Sequence, residues 1–332
     1  MIGRIVDFIS FNVSLLLHLL TVRTGDHDVL IGLTVPPLVS FVNGMVARRK
    51  GMKFAYWAMD LQPELSIAAG YLKKGSPAAR VLSGLGDSIY QRSDLIIALD
   101  RYMAEHIERR GGRPDRTTIV PVWPVTGPAF PGPRTENPFR RSHDLGDRFV
   151  VMYSGNHAVY NPLETILRTA LRLRSDPRFL FVFVGGGVRK REVSDFKAMH
   201  GLENIRQLPL QDRGTIGESL AAADLHVVVL GNGCAGFTHP SKVYGAMFIG
   251  RPVLYIGPRP SYVTDLLGHC PGNLLVEHGQ PDRLAADLNA FAELGEAEWV
   301  RVGAVNRQYA LVHLTRERLA GRLIEALEGM GA

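Results

Sequence analysis

The chain has 332 residues, 46% of them apolar and 21% charged, with a formal net charge of +6. That length suits two domains, and the balance is that of an ordinary globular protein rather than a disordered or disulfide-stapled one. Arginine far outnumbers lysine without any dense basic run, which points to anionic small molecules or an anionic membrane surface and away from nucleic acid.

The first apolar stretch, Ile5 to Val22, is interrupted by Asp7, Asn12 and His18. It is too broken for a spanning helix and lacks the basic start of a signal peptide. An amphipathic helix is expected, packed on a sheet or lying on a membrane. Strands are then expected at 28–33, 53–59, 94–99 and 117–122, with helices at 37–49, 78–92 and 101–110 between them. Continuous apolar strands alternating with helices indicate a parallel sheet covered on both faces. From Pro121 to Pro138, prolines and glycines replace periodicity, as in an interdomain linker. A second alternating series follows, with strands at 149–153, 179–184, 205–208, 225–230, 253–256 and 274–277. The last helices are expected at 280–294 and 297–328. The implied architecture is α/β, with two Rossmann-like doubly wound units, residues 1–130 and 131–332. Cys234 and Cys270 lack metal spacing and a disulfide framework, which suits a reducing, cytoplasmic setting.

In such sheets ligands bind beyond the carboxyl ends of the strands, so the residues there are the candidates. Strand 53–59 leads into Asp60-Leu61-Gln62-Pro63-Glu64, where Asp60 is either a turn former or a group that orients or deprotonates a hydroxyl. Asp100, after the third strand, reads as a helix cap. Strand 149–153 leads into Ser154-Gly155-Asn156, whose backbone can approach a diphosphate. Asn161-Pro162-Leu163-Glu164 reads as the capped start of the next helix. Strand 179–184 leads into Gly185-Gly186-Gly187-Val188-Arg189-Lys190-Arg191, a glycine turn with cations that favours a phosphate-facing role. It does not match the dinucleotide fingerprint, which disfavours a nicotinamide enzyme. Finally, His239-Pro240-Ser241-Lys242-Val243-Tyr244-Gly245 opens a helix that Gly250 and Pro252 can stop. A lysine in a helix's first turn opposes the macrodipole unless an anion sits there. Taken alone, Lys242 is equally a solvated cation; with glycine loops around it, phosphate binding is favoured.

These segments in order, Met-Asp-Leu-x-Pro-Glu, Tyr-Ser-Gly-Asn, Val-Gly-Gly-Gly and Pro-Ser-Lys-x-Tyr-Gly, resemble bacterial family 4-like glycosyltransferases of the GT-B fold that build cell-surface polysaccharides. The likeness runs from about Asp28 to Leu267. It implies transfer of a sugar from a nucleotide-sugar to a hydroxyl of a glycan, lipid-linked or small-molecule acceptor, with retention and without a metal or cofactor. A UDP-sugar is favoured over a GDP-sugar. The C-terminal unit would hold the donor and the N-terminal unit the acceptor. Carried over, Ser154, Gly155 and Asn156 would line the diphosphate, and Gly186 and Gly187 would flank the donor pocket. Pro209 and Leu210 would lie near the base. His239, Ser241, Lys242 and Tyr244 would surround the phosphates and sugar, with Lys242 stabilising the departing diphosphate and Asp60 standing at the acceptor side.

The chain departs from the family pattern at three points. The positions of its Glu-x7-Glu pair hold Phe237 and Gly245. The usual Arg and Lys after the first C-terminal strand are missing, with Asn156 nearest. The first unit is expected to lack its leading strands. Two other functions stay open: a non-catalytic accessory protein that binds a nucleotide-sugar or a partner, and a sugar-nucleotide epimerase. Membrane association is expected to be peripheral at most, on the inner face.

Overall fold

A computed structural model describes residues 2–21, 29–36, 38–123 and 132–330. The middle of the expected linker, residues 124–131, falls outside them, as do Val22, Asp28 and Pro37. The chain forms two compact units. One comprises residues 1–122 with 234–239 and 317–332; the other comprises 123–233 with 240–316.

In the first unit, strands β1 (Val29–Leu33), β2 (Lys53–Trp57), β3 (Leu95–Ala98) and β4 (Thr117–Ile119) form a parallel sheet in the order β1-β2-β3-β4. Its core gathers Phe54, Tyr56, Ile96 and Ala98 from the strands with Met103 and Ile107 from the helix Arg101–Arg109. Each fully buried side chain of this size contributes roughly 1.5–3 kcal/mol by leaving water. Asp100 caps that helix as expected, its Oδ1 accepting from the Met103 N–H at 2.9 Å.

The second unit holds β5 (Phe149–Ser154), β6 (Phe179–Val184), β7 (Ile205–Leu208), β8 (Leu225–Val229), β9 (Val253–Ile256) and β10 (Leu274–Val276). They form one parallel sheet in the order β10-β9-β8-β5-β6-β7. Alternate residues serve opposite faces, as the pleat requires. Phe149, Val151, Tyr153, Phe179, Phe181 and Phe183 enter one core, while Val150, Met152, Leu180, Val182 and Val184 enter the other. This explains the unbroken apolar runs. From β5 the chain winds outward through β6 and β7, then returns to β8 on the other side of β5. The order therefore reverses between β5 and β8, and a crevice opens there at the carboxyl ends.

Two local expectations are corrected. Asn161 does not cap a helix: the helix is Glu164–Arg172, its N-cap is Leu163, and buried Asn161 faces the Tyr153 hydroxyl at 3.2 Å. The single final helix is two, Glu296–His313 and Arg316–Glu328. Leu314 leaves helical geometry with φ −122 and ψ 14, and Thr315 is a residue type that starts helices.

Candidate active site

The crevice of the second unit is built from three loops. Ser154 ends β5, and the Gly155 N–H donates to the Val184 carbonyl at 2.9 Å. The His157 N–H and its Nδ1 both reach the Gly186 carbonyl, at 2.7 and 3.1 Å. These bonds tie the loop after β5 to the loop after β6. The glycines are required here: Gly155, Gly185 and Gly187 have φ of 125, 121 and 129, a region costly for other residues. A Cβ on Gly185 would strike the Gly155 carbonyl, and one on Gly187 would strike the Asn156 side chain. Gly186 faces open space.

The third loop follows β8 and leads to the helix Lys242–Ile249, which stops at Gly250 in a left-handed turn as expected. Lys242 Nζ donates to the Asn156 carbonyl at 3.2 Å and stands 5.1 Å from the centre of the Tyr153 ring. The lysine stem packs so closely on the loop that a Cβ on Gly155 would come within 2.6 Å of Cε. Burial pulls its pKa from 10.5 down to about 8. Among the described residues no carboxylate pairs with it. An ammonium set against only a carbonyl and a ring face, with no carboxylate beside it, is placed to take up an anion.

Not every candidate joins this group. Ser241 precedes the helix and makes no side-chain cap bond. Tyr244 is fully buried, and its hydroxyl meets that of Tyr262 at 2.7 Å. Leu210 is 74% exposed beyond the edge strand β7, and the Pro209 carbonyl accepts from Gln211. Among the described residues no hydrogen bond links Pro209 or Leu210 to the lysine. The basic turn after β6 is also used locally: Arg189 binds the Val159 carbonyl and Glu192, and Arg191 pairs with Asp195. These contacts tie both arginines to their own turn and helix.

In the first unit, Asp60 follows β2 and accepts a 2.6 Å hydrogen bond from the Thr238 hydroxyl. Burial raises its pKa above the ordinary carboxylate value, against the lowering pull of Thr238 and His239. His239 donates from Nδ1 to Asp100 Oδ2 at 2.8 Å, with both side chains 1% exposed. Leu61 donates its N–H to the Phe237 carbonyl at 2.7 Å, and the Phe237 ring meets His106 edge-on at 4.9 Å. Residues 234–239 thus form a strap bound into the first unit, and sequence reasoning missed every one of these pairings. Glu64 is locked to Arg110 and to His106 at 3.3 Å. Burial pushes its carboxyl up, but His106 and Arg110 hold it below the usual value. Among the described residues no group of three or more His, Cys, Asp or Glu side chains is placed to hold a metal ion.

No family model matches the sequence. WbjE of Pseudomonas aeruginosa, whose name marks it as a probable glycosyltransferase, is 29% identical over 286 residues, 83% of this chain and 68% of that protein. WcaI of Escherichia coli K12, whose name assigns it glycosyl transfer in colanic acid biosynthesis, is 24% identical over 98% of this chain and 80% of its own. Among solved structures, Anabaena Alr3699/HepE in complex with UDP superimposes with a TM-score of 0.74 at 16% identity, over 91% of this chain and 79% of that one. Sucrose-phosphate synthase from Thermosynechococcus elongatus gives 0.69 at 14% identity, over 91% and 73%. The chain has the GT-B fold of two Rossmann-like α/β domains, and the curated relatives it matches are glycosyltransferases.

Proposed function

We propose that this chain transfers a glycosyl group from a UDP-sugar to an acceptor hydroxyl during assembly of a surface glycan or glycolipid, as a family 4-like, retaining and metal-independent enzyme. The observation that carries the reading is Lys242: a half-buried ammonium without a carboxylate, set on a glycine loop at the point where the strand order reverses. As the glycosidic bond to the donor breaks, negative charge grows on the departing diphosphate. A cation already held in place against the loop stabilises that charge with little reorganisation. The loop glycines let backbone N–H groups approach the same oxygens. Asp60, whose raised pKa brings it nearer neutrality, would orient or deprotonate the acceptor hydroxyl. HepE is crystallised with UDP and with UDP-glucose on the same fold, which supports a uridine donor.

The test is release of UDP from a panel of UDP-sugars incubated with lipid-linked and free glycan acceptors. Release that depends on both acceptor and Lys242 is expected. A folded protein that binds no nucleotide-sugar would refute the reading. A second reading, a binding protein without turnover, is favoured by Phe237 and Gly245, which supply no carboxylate. It is selected if UDP-sugars bind and no acceptor elicits UDP release.

A further inference from the structure

A cavity of about 40 Å³ opens in the first unit at the carboxyl ends of β1 and β2. It is lined by Thr34 and Leu38 after β1, Gln62 after β2, and Leu82, Leu85 and Ile89 on the helix Pro77–Arg92. The Thr34 hydroxyl accepts from the Met59 N–H at 2.9 Å, which ties this wall to the segment that carries Asp60. Gln62 belongs to the same segment. Leu38 is held at φ 69, a left-handed conformation that a leucine adopts only under constraint. Backbone strain of this kind collects at ligand sites.

The polar groups of the lining are of one kind. Tyr90 is 3% exposed and borders the cavity, yet among the described residues its hydroxyl makes no hydrogen bond. Burial holds its pKa well above the ordinary tyrosine value, so it stays a phenol that can donate. Gln62 Oε1 accepts from the Ser66 hydroxyl at 2.6 Å. Its NH2 group is left without a hydrogen bond among the described residues. Two unused donors beside an apolar wall call for an acceptor atom. No charged side chain lines the cavity, so a phosphate or carboxylate there would lose water without gaining a counter-charge. A hydroxyl alone would leave the leucine and isoleucine wall uncovered. The space holds roughly three water-sized atoms. A carbonyl bearing a methyl group matches the donors, the wall and the size.

The geometry points to the acetyl group of a 2-acetamido sugar as the occupant, its carbonyl on Tyr90 and Gln62 and its methyl against Leu82, Leu85 and Ile89. An amide oxygen accepts more strongly than an ester oxygen, which favours an N-acetyl over an O-acetyl group. The inference rests on the proposed transfer reaction and names its acceptor class: an N-acetylated sugar rather than a plain hexose. Gly86 keeps the space open. A Cβ there would stand 3.6 Å from the Gln62 carbonyl and 3.8 Å from the Tyr90 hydroxyl, ordinary contacts that an alanine tolerates while taking up part of the cavity.

The test is saturation-transfer NMR of the full chain, without nucleotide, against methyl glycosides of N-acetylglucosamine, N-acetylgalactosamine, glucose and galactose. The acetamido sugars should bind about 10- to 200-fold more tightly than the plain ones, with saturation strongest on the acetyl methyl. Tyr90→Phe should narrow that ratio about 2- to 12-fold, and Gly86→Ala should narrow it at least as much. Neither variant should melt below the wild type, because Tyr90→Phe breaks no internal hydrogen bond and alanine favours a helix over glycine. Both should keep the wild-type affinity for UDP. Equal binding of the two sugar classes, no sugar binding by a protein that binds UDP, or an unchanged ratio in either variant would overturn the inference. UDP release is read separately. Release with both acceptor classes at equal kcat/KM would overturn this inference and leave the transfer reading standing. Acetyl saturation without UDP release from any donor would support the pocket and refute transfer.

Discussion

The Thr238 hydroxyl donates to Asp60 Oδ1 at 2.6 Å across 178 residues of sequence. It pins the carboxylate that follows β2 and occupies one of its oxygens. In the proposed reaction its other oxygen would meet an acceptor hydroxyl in a fixed direction.

Asp60→Asn separates function from stability. A carboxyl whose folded pKa is raised favours folding while protonated. That stabilisation is present below its unfolded pKa and is lost as pH rises through the folded one. At neutral pH, ionised Asp60 therefore costs stability that an amide does not. The variant should melt no lower than the wild type at pH 7, while kcat for transfer falls by about two to four orders of magnitude. A large drop in melting temperature would show Asp60 to be structural.

The pH dependence of nucleotide binding reports on Lys242. Its pKa of about 8 lies below the ordinary 10.5, so above pH 8 the free protein must take up a proton to present a cation. UDP affinity measured by calorimetry should fall as pH rises through about 8, approaching tenfold per pH unit. Lys242→Arg stays charged throughout and should flatten this alkaline limb. Proton linkage runs the other way for folding. Between pH 8 and 10.5 the unfolded chain holds this proton more often than the folded one, so this group's contribution to stability increases with pH in that window.

The three consecutive glycines after β6 should differ sharply. Gly185→Ala sets a Cβ against the Gly155 carbonyl at φ 121 and should destabilise by roughly 2–5 kcal/mol. Gly186→Ala enters open space and should be nearly neutral. Urea midpoints of the two variants decide the matter.

At the other end of the second unit's sheet, Asp224 is 1% exposed and faces Arg134 and Arg140, each at 3.2 Å. It also accepts from the Val150 N–H at 2.7 Å. Asp224→Ala would leave buried guanidinium groups uncompensated and should cost roughly 3–5 kcal/mol, read from urea unfolding.

The parallel architecture was legible because both faces of each central strand are buried, leaving runs such as Phe179–Val184 with no polar interruption. Gly250 was legible as a helix stop because only glycine enters the left-handed turn cheaply. Lys242 stood out because a cation at a helix start goes against the local field. What a single sequence could not reveal was pairing at a distance. Thr238 with Asp60, and His239 with Asp100 139 residues away, are set by how the strap folds back. No local pattern encodes that path. Asn161 misled for a related reason: a residue type that caps helices was drawn instead to a buried tyrosine hydroxyl.

The central claim is that Lys242 receives the diphosphate of a nucleotide-sugar, and equilibrium binding of UDP to the wild type and to Lys242→Met tests it most directly. Loss of one charge-assisted contact of about 1.5–3 kcal/mol predicts binding about 10- to 150-fold weaker at pH 7, with the melting temperature of the free protein preserved. Equal affinity in the two proteins, or no UDP binding to the folded wild type, would contradict it.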